Sequence, residues 1–331
     1  MTSETIAVLG GGAWGTALAQ TQALAGRPVT LWARNPAVAD EINSAHTNAG
    51  YLSGAILDPR LKATADLTIA ARSDVLLLVA PAQHSRALAR QLRPMLTARQ
   101  TVVICAKGIE QGSGHLLDRV LSEELPGIPL AVLSGPGFAA DVARGLPAAL
   151  TLACRDETAG RALAQLLSHS QFRLYWTADT TGVALGGSVK NVLGIAAGIL
   201  DGKRLGGSAH AALVTRGFAE LRRLGEALGA RPETLMGLSG LGDLILTAGS
   251  AQSRNMSLGR ALGEGKAVAE VLGTRRAVTE GVYTAEAVQR LAREHGIDMP
   301  ICLAVCAILE GTISVDAAIN ALLNRPLKAE D

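Results

Sequence analysis

Six short runs rich in Val, Ile, Leu and Thr recur through the first half of the chain, at residues 5–10, 28–34, 74–81, 101–107, 129–135 and 148–154. Segments of helical length separate them. The runs are apolar almost throughout rather than alternating with polar positions, which predicts parallel strands covered on both faces. A doubly wound α/β sheet follows from that order. From about Thr181 the strand pattern stops and helical periodicity takes over, for example through residues 213–228 and 284–295, with Gly225, Gly229 and Gly296 as punctuation. The second half therefore reads as all-α. The change of pattern falls within residues 176–182, dividing the chain into an α/β domain (1–180) and a helical domain (181–331).

Composition narrows the function. At 331 residues the chain exceeds the size at which one core usually keeps growing. Thirty-one Lys and Arg against 29 Asp and Glu leave a formal charge of +2, too small for a nucleic-acid footprint. The stretch 182–200 is apolar but carries Ser188, Lys190 and Asn191 in its middle, so it reads as a buried helix rather than a membrane span. The polar start runs directly into the first strand with no leader pattern, and a cytoplasmic protein is expected. Cys105, Cys154, Cys302 and Cys306 form no C-x-x-C pair and the six histidines are scattered, so no metal site is expected.

The first strand runs into Gly10-Gly11-Gly12-Ala13-Trp14-Gly15 and then into a helical stretch. A G-x-G-x-x-G pattern is weak alone but specific between a strand and a helix. Gly10 permits the tight turn, Gly12 lets the backbone approach a pyrophosphate, and Gly15 lets helix and strand pack closely. The second strand ends in Arg34-Asn35, without the carboxylate that marks an unphosphorylated ribose. Arg34 is placed to meet a 2′-phosphate, favouring NADP(H) and leaving NAD(H) open; a solvated strand-end charge is the alternative.

Hydride transfer to a ketone leaves an alkoxide, so such a site needs a proton donor within hydrogen-bond reach. Lys190 is the lone charge in an otherwise uncharged helical stretch, where burial would lower its pKa. Lys107 ends the strand 101–107, where ligands sit in open α/β sheets, and is a candidate second cation. The segment Ser134-Gly135-Pro136-Gly137-Phe138-Ala139 can expose backbone N–H groups. Asp243 is the only acid between Leu235 and Gly249 and, if buried, needs a cation as partner. Ser253-Arg254-Asn255 combines an N-cap, a guanidinium and an amide at a helix start, a natural phosphate site. The alternatives are a lysine reaching the surface for Lys190, a solvated strand end for Lys107, a tight turn for residues 134–139, and ordinary caps or solvated charges for Asp243 and residues 253–255.

In this order and spacing these segments, with residues 42–52 and 61–67 and with Glu280-Gly281, resemble the bacterial NAD(P)-dependent glycerol-3-phosphate dehydrogenase family over nearly the whole chain. The resemblance implies a Rossmann-like N-terminal domain with a helical C-terminal domain. It implies that Lys190 donates or accepts the proton and that Asp243 lies beside the substrate, a small phosphorylated molecule: glycerol 3-phosphate or dihydroxyacetone phosphate. Lys107, Gly135, Gly137, Ser253, Arg254 and Asn255 would hold substrate. Ala13, Trp14, Arg34, Lys107, Ala139, Arg254, Val278 and Glu280 would line the dinucleotide. A homodimer and supply of glycerol 3-phosphate to phospholipid synthesis are family-level expectations. Two departures stand out: Gly137 replaces the usual Ser or Thr, and Leu246-Thr247-Ala248 lacks a cysteine often found after the Thr. A β-hydroxyacid or 6-phosphogluconate-type dehydrogenase would carry an Asn-Asn pair after the lysine, which is absent here. A non-catalytic dinucleotide sensor would not need Lys190, Asp243 and residues 253–255 together.

Overall fold

The computed structural model describes residues 4–273 and 279–326. Eight strands, β1 (Ile6–Leu9), β2 (Val29–Trp32), β3 (Leu61–Thr64), β4 (Val75–Leu78), β5 (Thr101–Ile104), β6 (Leu130–Ser134), β7 (Ala148–Ala153) and β8 (Phe172–Thr177), form one sheet in the order β3-β2-β1-β4-β5-β6-β7-β8. Every residue of β1 and β4 is buried, because helices cover both faces. Ile6 and Val8 enter the apolar core on one face, Ala7 and Leu9 that on the other. The order reverses between β1 and β4, opening the crevice at the carboxyl ends of these strands where doubly wound sheets bind ligands.

The expectation of a wholly parallel sheet needs correction. Strand β7 runs antiparallel to β6, and β8 pairs parallel with β7. Strands β3 and β8 lie beyond the six apolar runs. Both are edge strands with one face partly open to solvent, so their apolar positions are interrupted by polar ones.

The helix Thr180–Gly202 opens the helical region and is its axis. Asp179 caps it, accepting from Gly182 N at 2.7 Å. The helix is long and apolar enough to cross a membrane, but 89% of its apolar window is buried within the protein. Gly194, Gly198 and Gly202 recur at four-residue spacing on one face, opposite Gly259 and Gly263 of the helix Arg254–Gly263. A Cβ on Gly198 would overlap the carbonyl of Met256, and one on Gly259 the carbonyl of Ile195. The two helices therefore pack backbone against backbone.

Glu220, on the helix Gly206–Ala227, is 1% exposed and accepts from Ile301 N at 2.7 Å and Cys302 N at 3.1 Å, capping the helix Pro300–Leu309 from a neighbour. Burial pushes its carboxyl up to about 7, although both N–H groups oppose this. The folded chain thus holds this proton more tightly than the unfolded chain, so the contribution to stability is complete below about 4.5 and is lost as pH rises through about 7. Between those limits the loss amounts to about 3 kcal/mol. In Glu220→Gln this component disappears: urea unfolding across that range should give a flatter dependence on pH than wild type, and superimposable slopes would refute the assignment.

Candidate active site

The glycine turn joins β1 to the helix Ala13–Leu24 and sits at the switch point. Gly10 has φ +137°, a conformation that side chains rarely adopt, and a Cβ on Gly15 would overlap the Gly10 carbonyl. A Cβ on Gly12 would meet nothing within 4 Å, so this backbone faces open space. Gly12 caps the helix without a side chain, leaving first-turn N–H groups to a ligand. The indole Nε1 of Trp14 is buried without a hydrogen-bond partner. An open anion-binding turn at the switch point, with an orphaned donor beside it, fits a dinucleotide. Ala13 and Ala139 are partly buried, and Ala139 opens the helix Ala139–Ala143. Arg34 is exposed just beyond β2. Asn35 beside it caps the next helix, accepting from Ala37 N at 3.1 Å. Val278 lies outside the described residues.

Four groups from three parts of the chain meet near the ends of β5 and β6. Lys190 Nζ donates to Asp243 Oδ1 at 3.0 Å and to Thr247 Oγ1 at 2.7 Å. Lys107 Nζ donates to the other carboxylate oxygen of Asp243 at 2.6 Å and to the Gly135 carbonyl at 2.9 Å. It also lies 5.8 Å from the Trp14 ring centroid, within cation–π range. Asp243 follows a π-helical turn, Leu238–Gly242, which approaches the axial helix closely because Gly186 has no Cβ to strike the Ser239 carbonyl at 2.7 Å.

Asp243 is 1% exposed and Lys190 8% exposed, so their charges act with little screening. Burial brings Lys190 down to about 8, assisted by Lys107 and Arg254 and opposed by Asp243. Two ammonium groups and one carboxylate leave the cluster an excess positive charge, suited to an anionic substrate or a developing alkoxide.

Ser253 caps the helix Arg254–Gly263, its Oγ accepting from Met256 N at 3.2 Å. Asn255 donates to Asn191 Oδ1 at 2.9 Å and accepts from Gly281 N at 3.1 Å, while Asn191 donates to the Lys107 carbonyl at 3.4 Å. This chain of amides links the phosphate-site candidates to the lysine cluster. Arg254 is solvent-exposed and within electrostatic reach of Glu280. Glu280 Oε1 accepts from Ala82 N at 3.1 Å, its Oε2 is buried without a partner, and burial raises its pKa. At Gly137 an added Cβ would lie 3.2 Å from the Trp14 ring, so a larger residue would crowd the indole.

Thr247 received no role from the sequence, yet it is the shortest contact of Lys190. Its signal was the four-residue spacing from Asp243, which puts both on one helix face. Asn191 was visible only as the neighbour of Lys190.

Comparison with known proteins bears on both halves of the chain. Residues 5–171 match the family described as NAD-dependent glycerol-3-phosphate dehydrogenase N-terminus, and residues 179–320 the corresponding C-terminus. Glycerol-3-phosphate dehydrogenase [NAD(P)+] of Parvibaculum lavamentivorans is 58% identical over 325 residues, covering 98% of each chain. The protein of the same name from Caulobacter vibrioides is 56% identical over 100% of both chains. The crystal structure of glycerol-3-phosphate dehydrogenase from Coxiella burnetii superimposes with a TM-score of 0.93 at 39% identity, covering 98% of this chain and 99% of that one. A ketopantoate reductase from Ralstonia eutropha, at 17% identity and a TM-score of 0.61 over 95% of this chain and 99% of that one, shares the fold. With both of its halves matched and its bacterial relatives aligned from end to end, the chain belongs to the NAD-dependent glycerol-3-phosphate dehydrogenase family.

Proposed function

We propose that this protein is an NAD(P)-dependent sn-glycerol-3-phosphate dehydrogenase that interconverts dihydroxyacetone phosphate and glycerol 3-phosphate, supplying glycerol 3-phosphate for phospholipid synthesis. The observation that carries the reading is the Lys190–Asp243–Lys107 cluster beside the glycine turn. When bound, the nicotinamide dinucleotide supplies or takes up the hydride. Lys190 gives its proton to the oxygen on the substrate's C2 during reduction and takes it back during oxidation. Asp243 and Thr247 orient the ammonium, and Lys107 adds positive charge near the oxygen. Arg254 and the N-terminus of its helix hold the phosphate, with Ser253 and Asn255 shaping that end. Binding energy from the phosphate fixes the carbonyl in place for transfer.

The domain division at residues 180/181 belongs to this reading, with the axial helix as the first element of the catalytic half. A cytoplasmic homodimer completes it, on the family resemblance.

The test is loss of NADPH and NADH absorbance with dihydroxyacetone phosphate and purified protein. Turnover with either cofactor supports the assignment; silence with both, alongside intact NADPH binding, points to another hydroxyacid. In the same assay Arg34→Ala should raise the KM for NADPH about tenfold relative to that for NADH, as loss of a charge-assisted contact predicts. An equal change for the two cofactors would eliminate the 2′-phosphate contact.

A further inference from the structure

The segment 46–57 joins the helix Pro36–Ala45 to β3 as a compact loop, closed at its base where Leu57 N donates to the His46 carbonyl at 2.8 Å. Its ends and flanks are fixed. Glu41 accepts from the Thr47 hydroxyl at 2.8 Å and Ala49 N at 2.7 Å, Gln20 donates to the Ile56 carbonyl at 3.3 Å, and Leu52 and Leu57 are buried in the sheet core. Closed, self-packed loops of this size are often functional.

Asn48 projects from this loop to the back of the glycine turn. It is 1% exposed, and its Nδ2 donates to the Gly11 carbonyl at 2.9 Å and to Thr16 Oγ1 at 2.8 Å. Its own carbonyl accepts from Tyr51 N at 3.1 Å and Leu52 N at 2.7 Å, so backbone and side chain are both fixed. The acceptors bracket the dinucleotide turn: Gly11 lies between the first two motif glycines, and Thr16 follows the third. A carbonyl bonded to so deeply buried a side chain points into the protein. Were it free to turn outward, its negative end would face the pyrophosphate and the adjoining N–H groups would turn away.

We infer that Asn48 is a positioning residue for the dinucleotide, acting through the Gly11 carbonyl and the Thr16 hydroxyl to hold the turn in its anion-binding conformation. The inference rests on the dinucleotide reading of this crevice. Because the pyrophosphate is common to both cofactors, removing Asn48 should weaken NADPH and NADH by the same factor, unlike the removal of Arg34.

The experiment compares full-length wild type, Asn48→Ala and Thr16→Val by NADPH and NADH titration and by steady-state kinetics. Asn48→Ala should raise the dissociation constants for both cofactors about tenfold, the effect of one buried hydrogen-bonding group lost. kcat at saturating cofactor should stay within about twofold and the KM for dihydroxyacetone phosphate should not move; a merely structural role would not separate these quantities. Thr16→Val, which removes one of the two acceptors, should show the same common rise at smaller amplitude, and it decides the matter if Asn48→Ala fails to fold. Unchanged dissociation constants in the folded variants, loss confined to NADPH, or a fall in kcat at constant affinity would overturn the role of Asn48. A wild type that binds neither cofactor would overturn the dinucleotide reading and this inference with it.

Discussion

Replacing Lys190 with alanine should lower the turnover number for dihydroxyacetone phosphate reduction about a thousandfold, within the range by which positioned proton donors accelerate reactions, while the dissociation constant for NADPH stays within about twofold. The separation is expected because the hydrogen bonds of Lys190 go to Asp243 and Thr247 rather than to the glycine turn. The direction of reaction sets the pH dependence. Reduction needs the ammonium form, so its rate should fall as pH rises through about 8; oxidation needs the neutral amine and should rise over the same interval. Both limbs should vanish in Lys190→Ala. Near-normal turnover, or a variant that keeps the wild-type pH profile, would remove Lys190 from proton transfer.

Asp243→Ala should be the more damaging change to the folded state. The carboxylate lies between two ammonium groups at 3.0 and 2.6 Å, and removing one partner of a buried ion pair costs about 3–5 kcal/mol. The expected loss is largest where the carboxylate and both lysines are charged, and shrinks as pH rises through the lowered pKa of Lys190. Asp243 is also what keeps that pKa from falling further, so its removal should move the reduction limb toward acid. Denaturant unfolding at several pH values, paired with pH–rate profiles of Asp243→Asn, separates the two effects: asparagine retains an oxygen acceptor without the charge. A variant with an unmoved limb would mean that Asp243 does not govern the protonation of Lys190.

The residues most legible in the sequence were those under the simplest constraint. Strands β1 and β4 are buried on both faces and could only be apolar runs, and Gly10 and Gly15 answer to conformational and steric demands within a few residues of chain. Lys190 and Asp243 stood out as lone charges among apolar neighbours, although 53 residues separate them and only the fold brings them together. Strand β7 was legible as a strand but not in direction, because an apolar run reads the same whichever way the chain traverses the sheet; the reversal depends on the path of residues 135–147. Strand β8 mixes buried and open positions at an edge, so no apolar run marks it. Thr247 and Asn191 are neutral polar residues within helices, where composition gives no hint of a tertiary partner. Asn48 was hidden in the same way, since a buried amide in a loop is defined only by what it touches.

The backbone-to-backbone contact between Thr180–Gly202 and Arg254–Gly263 bears on which molecules can be turned over. One helix carries Lys190 and the other begins at residues 253–255, the proton donor and the phosphate-holding residues proposed above. At Gly198, Gly202, Gly259 and Gly263 the facing atoms are backbone, so no side chain there can repack to change the separation. The pair therefore works as a ruler graduated by the peptide unit itself. A homologue with an extra carbon between carbonyl and phosphate would have to slide one helix along the other, and every glycine step resists that. On the proposed reading, preference for a three-carbon substrate would rest in part on residues that have no functional group at all.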